Sequence, residues 1–259
     1  MKVIIIGTGN VATVLGRRMK LAGHHILQVY GRTPDHAARL AVELSATYCT
    51  KPVEIIRSAD IYLVALSDNA LYELPTELNI DPAIICHTAG SVPADILKNH
   101  SPNYGVLYPL QSLRREFSTT TEIPLLTDGS NNHTLKTIHS LAATISSQVV
   151  YANDAMRTKL HLAAVIASNF TNHLYTLAEM YCETEGLDFK MLHPLIKETA
   201  IRVQLQSPSV LQTGPAMRDD QVTVHKHLQL LGSLPALQSL YLLLTKSIRE
   251  KDNFVANEE

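Results

Sequence analysis

The sequence predicts an α/β fold: a parallel sheet with helices on both faces, followed by an all-helical C-terminal domain. Three observations predict it. Residues 1–151 alternate short β-branched runs with amphipathic stretches, strand signals almost vanish after Tyr151, and a glycine-rich turn joins the first strand to the first helix.

Taken in order, the strands are Lys2–Ile6, Ile26–Tyr30, Ile61–Leu66, Ala83–His87, Gly105–Leu107, Ile123–Thr127 and Gln148–Tyr151. Helical patterns lie between them at Val11–Ala22, Pro34–Leu44, Ala70–Leu78 and His133–Ile145. Beyond the last strand, Asp154–Glu185 reads as one long helix, and Phe189–Gln206, Gln221–Leu231 and Pro235–Lys251 follow. Gly186, Pro208, Gly214-Pro215 and Gly232 to Pro235 break the periodicity between them. Glu250–Glu259 reads as a fraying polar tail. The boundary falls near Ala152, giving an α/β domain over 1–151 and an all-helical domain over 152–259.

Composition narrows the function classes. With 259 residues, 46% hydrophobic and 18% charged, the chain can bury a large core. A net charge of -2 and no Lys/Arg-rich block exclude capture of a nucleic-acid backbone. Apolar runs such as Val3–Ile6 are far shorter than the ~20 residues of a membrane span, and polar residues end the N-terminal run too early for a signal peptide. Three scattered cysteines fit thiols in a reducing cytoplasm. Twelve histidines include no metal-binding spacing, so no metal is expected.

Gly7-Thr8-Gly9-Asn10-Val11-Ala12 follows an apolar strand and opens a helix, which is the Gly-x-Gly-x-x-Ala form of the Rossmann dinucleotide fingerprint. Gly7 makes the tight turn, Gly9 admits a pyrophosphate, and the helix N-terminus faces its charge. No carboxylate stands at the tip of the second strand, where NAD-binding chains place one. Arg32 occupies it with Thr33 beside it, and a guanidinium there suits the 2′-phosphate of NADP. Thr33 also reads as the cap of the next helix. Leu66, Ser67 and Asp68 end a third strand and should pass beside the adenosine or ribose. His87 ends a fourth, near the expected nicotinamide, as a proton carrier or a structural hydrogen-bonding group.

In the helical half, Asn169 and His173 lie four residues apart and share a face, with interhelix hydrogen bonding as the alternative to substrate contact. Gly214-Pro215 holds Arg218 and Asp220 at a helix start. Asp220 reads as its cap, and Arg218 as a partner for an acidic group on a substrate or for a nearby carboxylate.

These motifs resemble a known family, the Rossmann-like NADP oxidoreductases with a helical C-terminal domain of unassigned function. The family is distantly related to 6-phosphogluconate and β-hydroxyacid dehydrogenases, pyrroline-5-carboxylate reductase and the deazaflavin-coenzyme-dependent NADP reductase. The resemblance is carried by Gly7 to Ala12, His87-Thr88-Ala89-Gly90-Ser91, Tyr108-Pro109-Leu110-Gln111-Ser112, Ala163 to Phe170 and Thr213 to Asp220 with His227-Leu228. The chain departs from the family with Thr88 for Ser, Tyr108 for His and Asp219 for Gly.

The resemblance implies hydride transfer to or from a small carbonyl, imine or hydroxy-acid substrate, and a homodimer through the helical domain. Hydroxyacid-type relatives carry a lysine four residues before the helix Asn. If Asn169 is that residue, Val165 stands in the lysine's place. On an ideal helix His161 and Lys159 are each turned ~80° away from Asn169, in opposite directions, so neither replaces it. The missing lysine keeps a second expectation open, a non-catalytic NADP-binding sensor or regulatory protein.

Overall fold

A computed structural model describes residues 1–75, 78–116 and 122–250. Thr76 and Glu77 of the expected helix Ala70–Leu78, and the expected tail from Lys251 onward, lie outside the described residues. The chain forms two compact units, 1–170 and 171–259.

The first unit is built on one eight-stranded sheet in the order β3-β2-β1-β4-β5-β6-β7-β8. The strands are β1 (Lys2–Ile6), β2 (His25–Tyr30), β3 (Thr47–Cys49), β4 (Ile61–Val64), β5 (Ile84–His87), β6 (Tyr104–Pro109), β7 (Leu125–Gly129) and β8 (Val149–Tyr151). Every pairing is parallel except β6 with β7. The β6–β7 connection carries no helix among its described residues, so the chain can reverse direction there.

Alternation along β1 shows why both faces of the sheet are covered. Val3 and Ile5 enter one core with α1 (Asn10–Leu21), α2 (Pro34–Leu44) and α4 (Asn132–Ala143). Ile4 and Ile6 enter the opposite core with Tyr62, Val64, Leu71, Leu78 and Leu97. The second core has little regular helix: α3 covers only Asp68–Tyr72, much shorter than its pattern predicts.

α5 (Asp154–Ala164) returns against this unit, with Leu160 packed beside Val106, Tyr108 and Leu126. The long helix expected over 154–185 is interrupted within itself, because residues Val165–Phe170 wind as a π-helix.

The second unit contains α6 (Thr171–Thr184), α7 (His193–Leu205), the short α8 (Pro208–Leu211), α9 (Gln221–Leu230) and α10 (Pro235–Arg249). Asp220 caps α9, its carboxylate accepting from the Thr223 backbone N–H at 3.0 Å and hydroxyl at 2.7 Å. Asp219 takes φ 53°, a left-handed conformation that Asp tolerates better than most residues, and pairs with Arg249 at 2.5 Å. No described helix is long and apolar enough to cross a membrane.

Candidate functional site

The crevice beyond the carboxyl ends of the strands begins at the turn between β1 and α1. Gly7 holds φ 122°, and its N–H donates to the Tyr30 carbonyl at 2.8 Å. A Cβ there would stand 2.2 Å from the Ala65 carbonyl oxygen, so only glycine lets the turn pass between β2 and β4. Gly9 is the N-cap of α1 with no side-chain cap, and nothing lies within 4 Å of the place its Cβ would take. The helix thus begins beside open space, with no side chain capping the positive end of its dipole.

Around that turn lies a cleft of about 310 Å³ lined by Gly7, Thr8, Gly9, Arg32, Thr33, Leu66 and Ser67, among others. Seven residues expected at the cofactor are thus brought together. Thr33 stands at the N-cap of α2, but its hydroxyl makes no capping bond. Arg32 is exposed and has no ion pair among the described residues.

The other three cofactor candidates are not among the cleft's lining residues. The Asn10 side-chain oxygen accepts from Arg115 Nε at 3.1 Å, Val11 packs on the core, and Asp68 accepts from the Ser91 hydroxyl at 2.5 Å. Sequence reasoning missed Glu73, which follows α3 and lines the cleft beside Leu74 and Pro75. A glycine turn at a helix N-terminus, an exposed guanidinium and apolar walls fit a dinucleotide with an extra phosphate.

Further along the same edge, the loop after β5 is organised by His87. The ring is fully buried. Its Nδ1 accepts from the Ala89 N–H at 3.1 Å, so Nε2 carries the proton and donates to the Pro93 carbonyl at 3.3 Å. Burial, aided by the nearby Arg157 guanidinium, pushes its pKa down to about 4. His87 is thus neutral, with both nitrogens spent on holding the loop.

Arg157, on α5, is also fully buried. One guanidinium nitrogen donates to the Val92 carbonyl at 2.5 Å and to Asp154 at 2.6 Å, while Nε and the other terminal nitrogen have no hydrogen-bond partner among the described residues.

A pair not anticipated from spacing lies beside this loop. The Tyr108 hydroxyl, near the end of β6, is 2.9 Å from Nδ1 of His161 on α5, and the rings meet edge to face at 5.9 Å. Burial and the charge of Asp68 raise the Tyr108 pKa, which keeps it a phenol. Gly90 makes the room: a Cβ would come within 2.7 Å of His161 Nδ1 and 2.9 Å of Tyr108 Cζ.

The remaining candidates sit as follows. Asn169 is exposed on the π turn that closes the first unit. In the second unit, His173 is exposed and lines a cavity with Leu177, Met180 and residues 233–237, and Arg218 is exposed between Gly214 and the α9 cap.

Comparison with known proteins covers both halves. A family described as "NADP oxidoreductase coenzyme F420-dependent" matches residues 2–89, and a domain of unknown function, DUF2520, matches residues 123–248. Among solved structures, a Bacteroides fragilis protein described as an NADP oxidoreductase is 39% identical. The alignment covers 96% of this chain and 98% of that one, with TM-score 0.89. A Thermotoga maritima protein is 23% identical over 96% and 97% of the two chains, with TM-score 0.72. A reductive aminase from Aspergillus terreus, solved with NADPH and ethyl-5-oxohexanoate, shares the fold at 17% identity, over 96% and 94% of the chains and TM-score 0.71. Comparison with curated protein sequences returns no match.

Proposed function

The chain belongs to the family of the Bacteroides fragilis NADP oxidoreductase, and from that premise we propose that it is an NADPH-dependent reductase of small carbonyl or imine compounds. The observation that carries the cofactor half is the cleft at the β1–α1 turn, where Gly7, Thr8 and the N-cap Gly9 line one space with Arg32 and Thr33. When bound, the cofactor supplies a hydride, and the protein orients it and excludes water. Gly7, Thr8, Gly9, Asn10 and Val11 would surround the pyrophosphate, Arg32 and Thr33 the 2′-phosphate, and Leu66, Ser67 and Asp68 the adenosine side.

The substrate half is supported by the character of the neighbours, which include enzymes named for imine reduction and reductive amination. Residues 1–151 would serve as the cofactor domain and 152–259 as the substrate and dimerisation domain. Asn169 and His173 would contact the substrate and Arg218 an acidic group on it. His87 would act by fixing the loop beside the nicotinamide, since its ring nitrogens are already engaged.

The chain would act as a homodimer, because Met191, Leu195, Leu205 and Val210 of the helical unit are largely uncovered in one copy. The buried free cysteines suit a cytoplasmic setting.

Titration of the protein with NADPH and NADH by nucleotide fluorescence, followed by a panel of keto acids, keto esters and cyclic imines, tests the proposal. Arg32→Ala should weaken NADPH by roughly 10- to 100-fold, the scale of a lost charge-assisted contact, and leave NADH nearly unchanged. Equal loss for both would remove the NADP assignment. Tight binding without oxidation by any compound would favour the non-catalytic sensor.

A further inference from the structure

Reduction of a C=O or C=N bond needs a proton as well as a hydride, and His87, with both ring nitrogens engaged, is not free to provide it. The π turn changes which residue can take over. An α-helix advances ~100° per residue, whereas i→i+5 winding advances roughly 80°, so four residues of the turn remove roughly 80° of rotation. His161, which ideal geometry sets ~80° from Asn169, is thereby brought onto nearly the same face.

The imidazole is held there. Its Nδ1 is engaged by Tyr108 at 2.9 Å, Gly90 leaves space for both rings, and Nε2 has no hydrogen bond among the described residues. His161 is partly exposed, and its partners come from the ends of β5 and β6, on the opposite side of β1 from Arg32. In an open parallel sheet that is the half of the crevice where the reactive end of a dinucleotide lies.

We infer that His161 is the proton donor of the reduction, acting from Nε2, and that Tyr108 is the positioning residue that fixes its ring. The inference rests on the reductase function proposed above. As hydride reaches the electrophilic carbon, the C=O or C=N electron pair moves to the heteroatom, which takes the proton from Nε2 of the imidazolium. The ring is left neutral with its remaining proton on Nδ1 toward the Tyr108 oxygen, and solvent recharges Nε2. The net change consumes one hydride and one proton per bond reduced.

The test has one readout without turnover and one with it. In protein labelled with 15N-histidine, the His161 ring signals should shift when NADP⁺ saturates the site, and their absence of response would overturn the placement. With a reducible keto acid, keto ester or cyclic imine, His161→Ala should lower kcat by roughly 10²- to 10⁴-fold with NADPH affinity within twofold, and added imidazole should restore part of the rate. Tyr108→Phe should lower kcat about tenfold at unchanged cofactor KM, a split that a general folding defect would not produce. If wild-type protein binds NADPH but oxidises it with no compound, the reductase function fails and the proton role with it. If wild type turns over and His161→Ala keeps kcat within threefold, only the proton role is overturned.

Discussion

In the sheet unit Val3, Ile4, Ile5, Ile6, Leu15, Ile61, Leu63 and Ile138 have no exposed surface. In the helical unit only Cys182, Val224, Leu231 and Thr245 are buried among the described residues, while Met191 shows 79% of its surface and Leu205 76%. The difference is not one of composition, since both units are rich in apolar residues. A parallel sheet closes its core within one chain because crossover helices cover both faces. A set of helices can instead leave its apolar stripes for another surface to cover, and each large side chain left in water forgoes about 1.5–3 kcal/mol. The sheet unit closes its core by itself, whereas the helical unit leaves much of its apolar surface uncovered.

The strongest way to break this comparison is to test whether the helical unit is finished alone. Sedimentation should show a dimer, and the melting temperature should rise with protein concentration. Leu243→Glu, on the exposed Leu242–Leu244 run of α10, should shift the protein toward monomer and lower its melting temperature by several degrees, as about 2 kcal/mol or more of interface burial is lost. A monomer that melts at the same temperature at every concentration would show that the exposed stripes need no partner.

On the sheet side the sharpest probe is Gly7. Alanine there needs a strained positive φ, and its methyl group would meet the Ala65 carbonyl at 2.2 Å. β1 and β4 must part locally, at a cost of about 1–3 kcal/mol for the strained backbone alone, and the phosphate cradle moves with them. NADPH binding should fall by at least 100-fold while the dimer persists. Retained binding with normal stability would mean that the turn is not the cofactor's cradle.

The parts of the molecule legible in sequence are those that act locally. The β1–α1 turn is written in six consecutive residues, and Arg32, Thr33, Leu66 and Ser67 reach the same cleft because each follows a strand of the same parallel sheet. Thr47–Cys49 escaped notice because it is a three-residue edge strand with Tyr48 half exposed, too short to show alternation. The antiparallel β7 was hidden because strand direction is set by a connection whose sequence carries no crossover pattern. Helical periodicity assumes 3.6 residues per turn and so cannot reveal a π segment at 165–170. The ~80° separation of His161 from Asn169 rests on that assumption, and the hydrogen bond of His161 to Tyr108 spans 53 residues of sequence. Glu73 offered only its position after a short helix, and the burial of Arg157 comes from packing between α5 and the loop after β5, which no local pattern encodes.

His87 offers a smaller but more selective test, because it makes acid stability a property of the sheet unit. Burial holds the ring neutral down to about pH 4, whereas an unfolded chain protonates it near the ordinary histidine value of about 6.5. A lowered histidine pKa means that the unfolded state binds the extra proton first. The fold keeps the full contribution above about pH 6.5 and loses it progressively as pH falls toward 4. At 1.36 kcal/mol per pKa unit the loss approaches roughly 3 kcal/mol, and below pH 4 this group adds nothing further. His87→Gln can still offer a side-chain acceptor and donor but does not titrate. It should lower stability at pH 7, where a well-placed ring is lost, and flatten the decline between pH 6.5 and 4 in urea-unfolding midpoints. The Leu243→Glu variant should keep that decline intact. If the acid limb instead survived His87→Gln and vanished with the helical-unit charge, protonation would be loosening the interface rather than the sheet core.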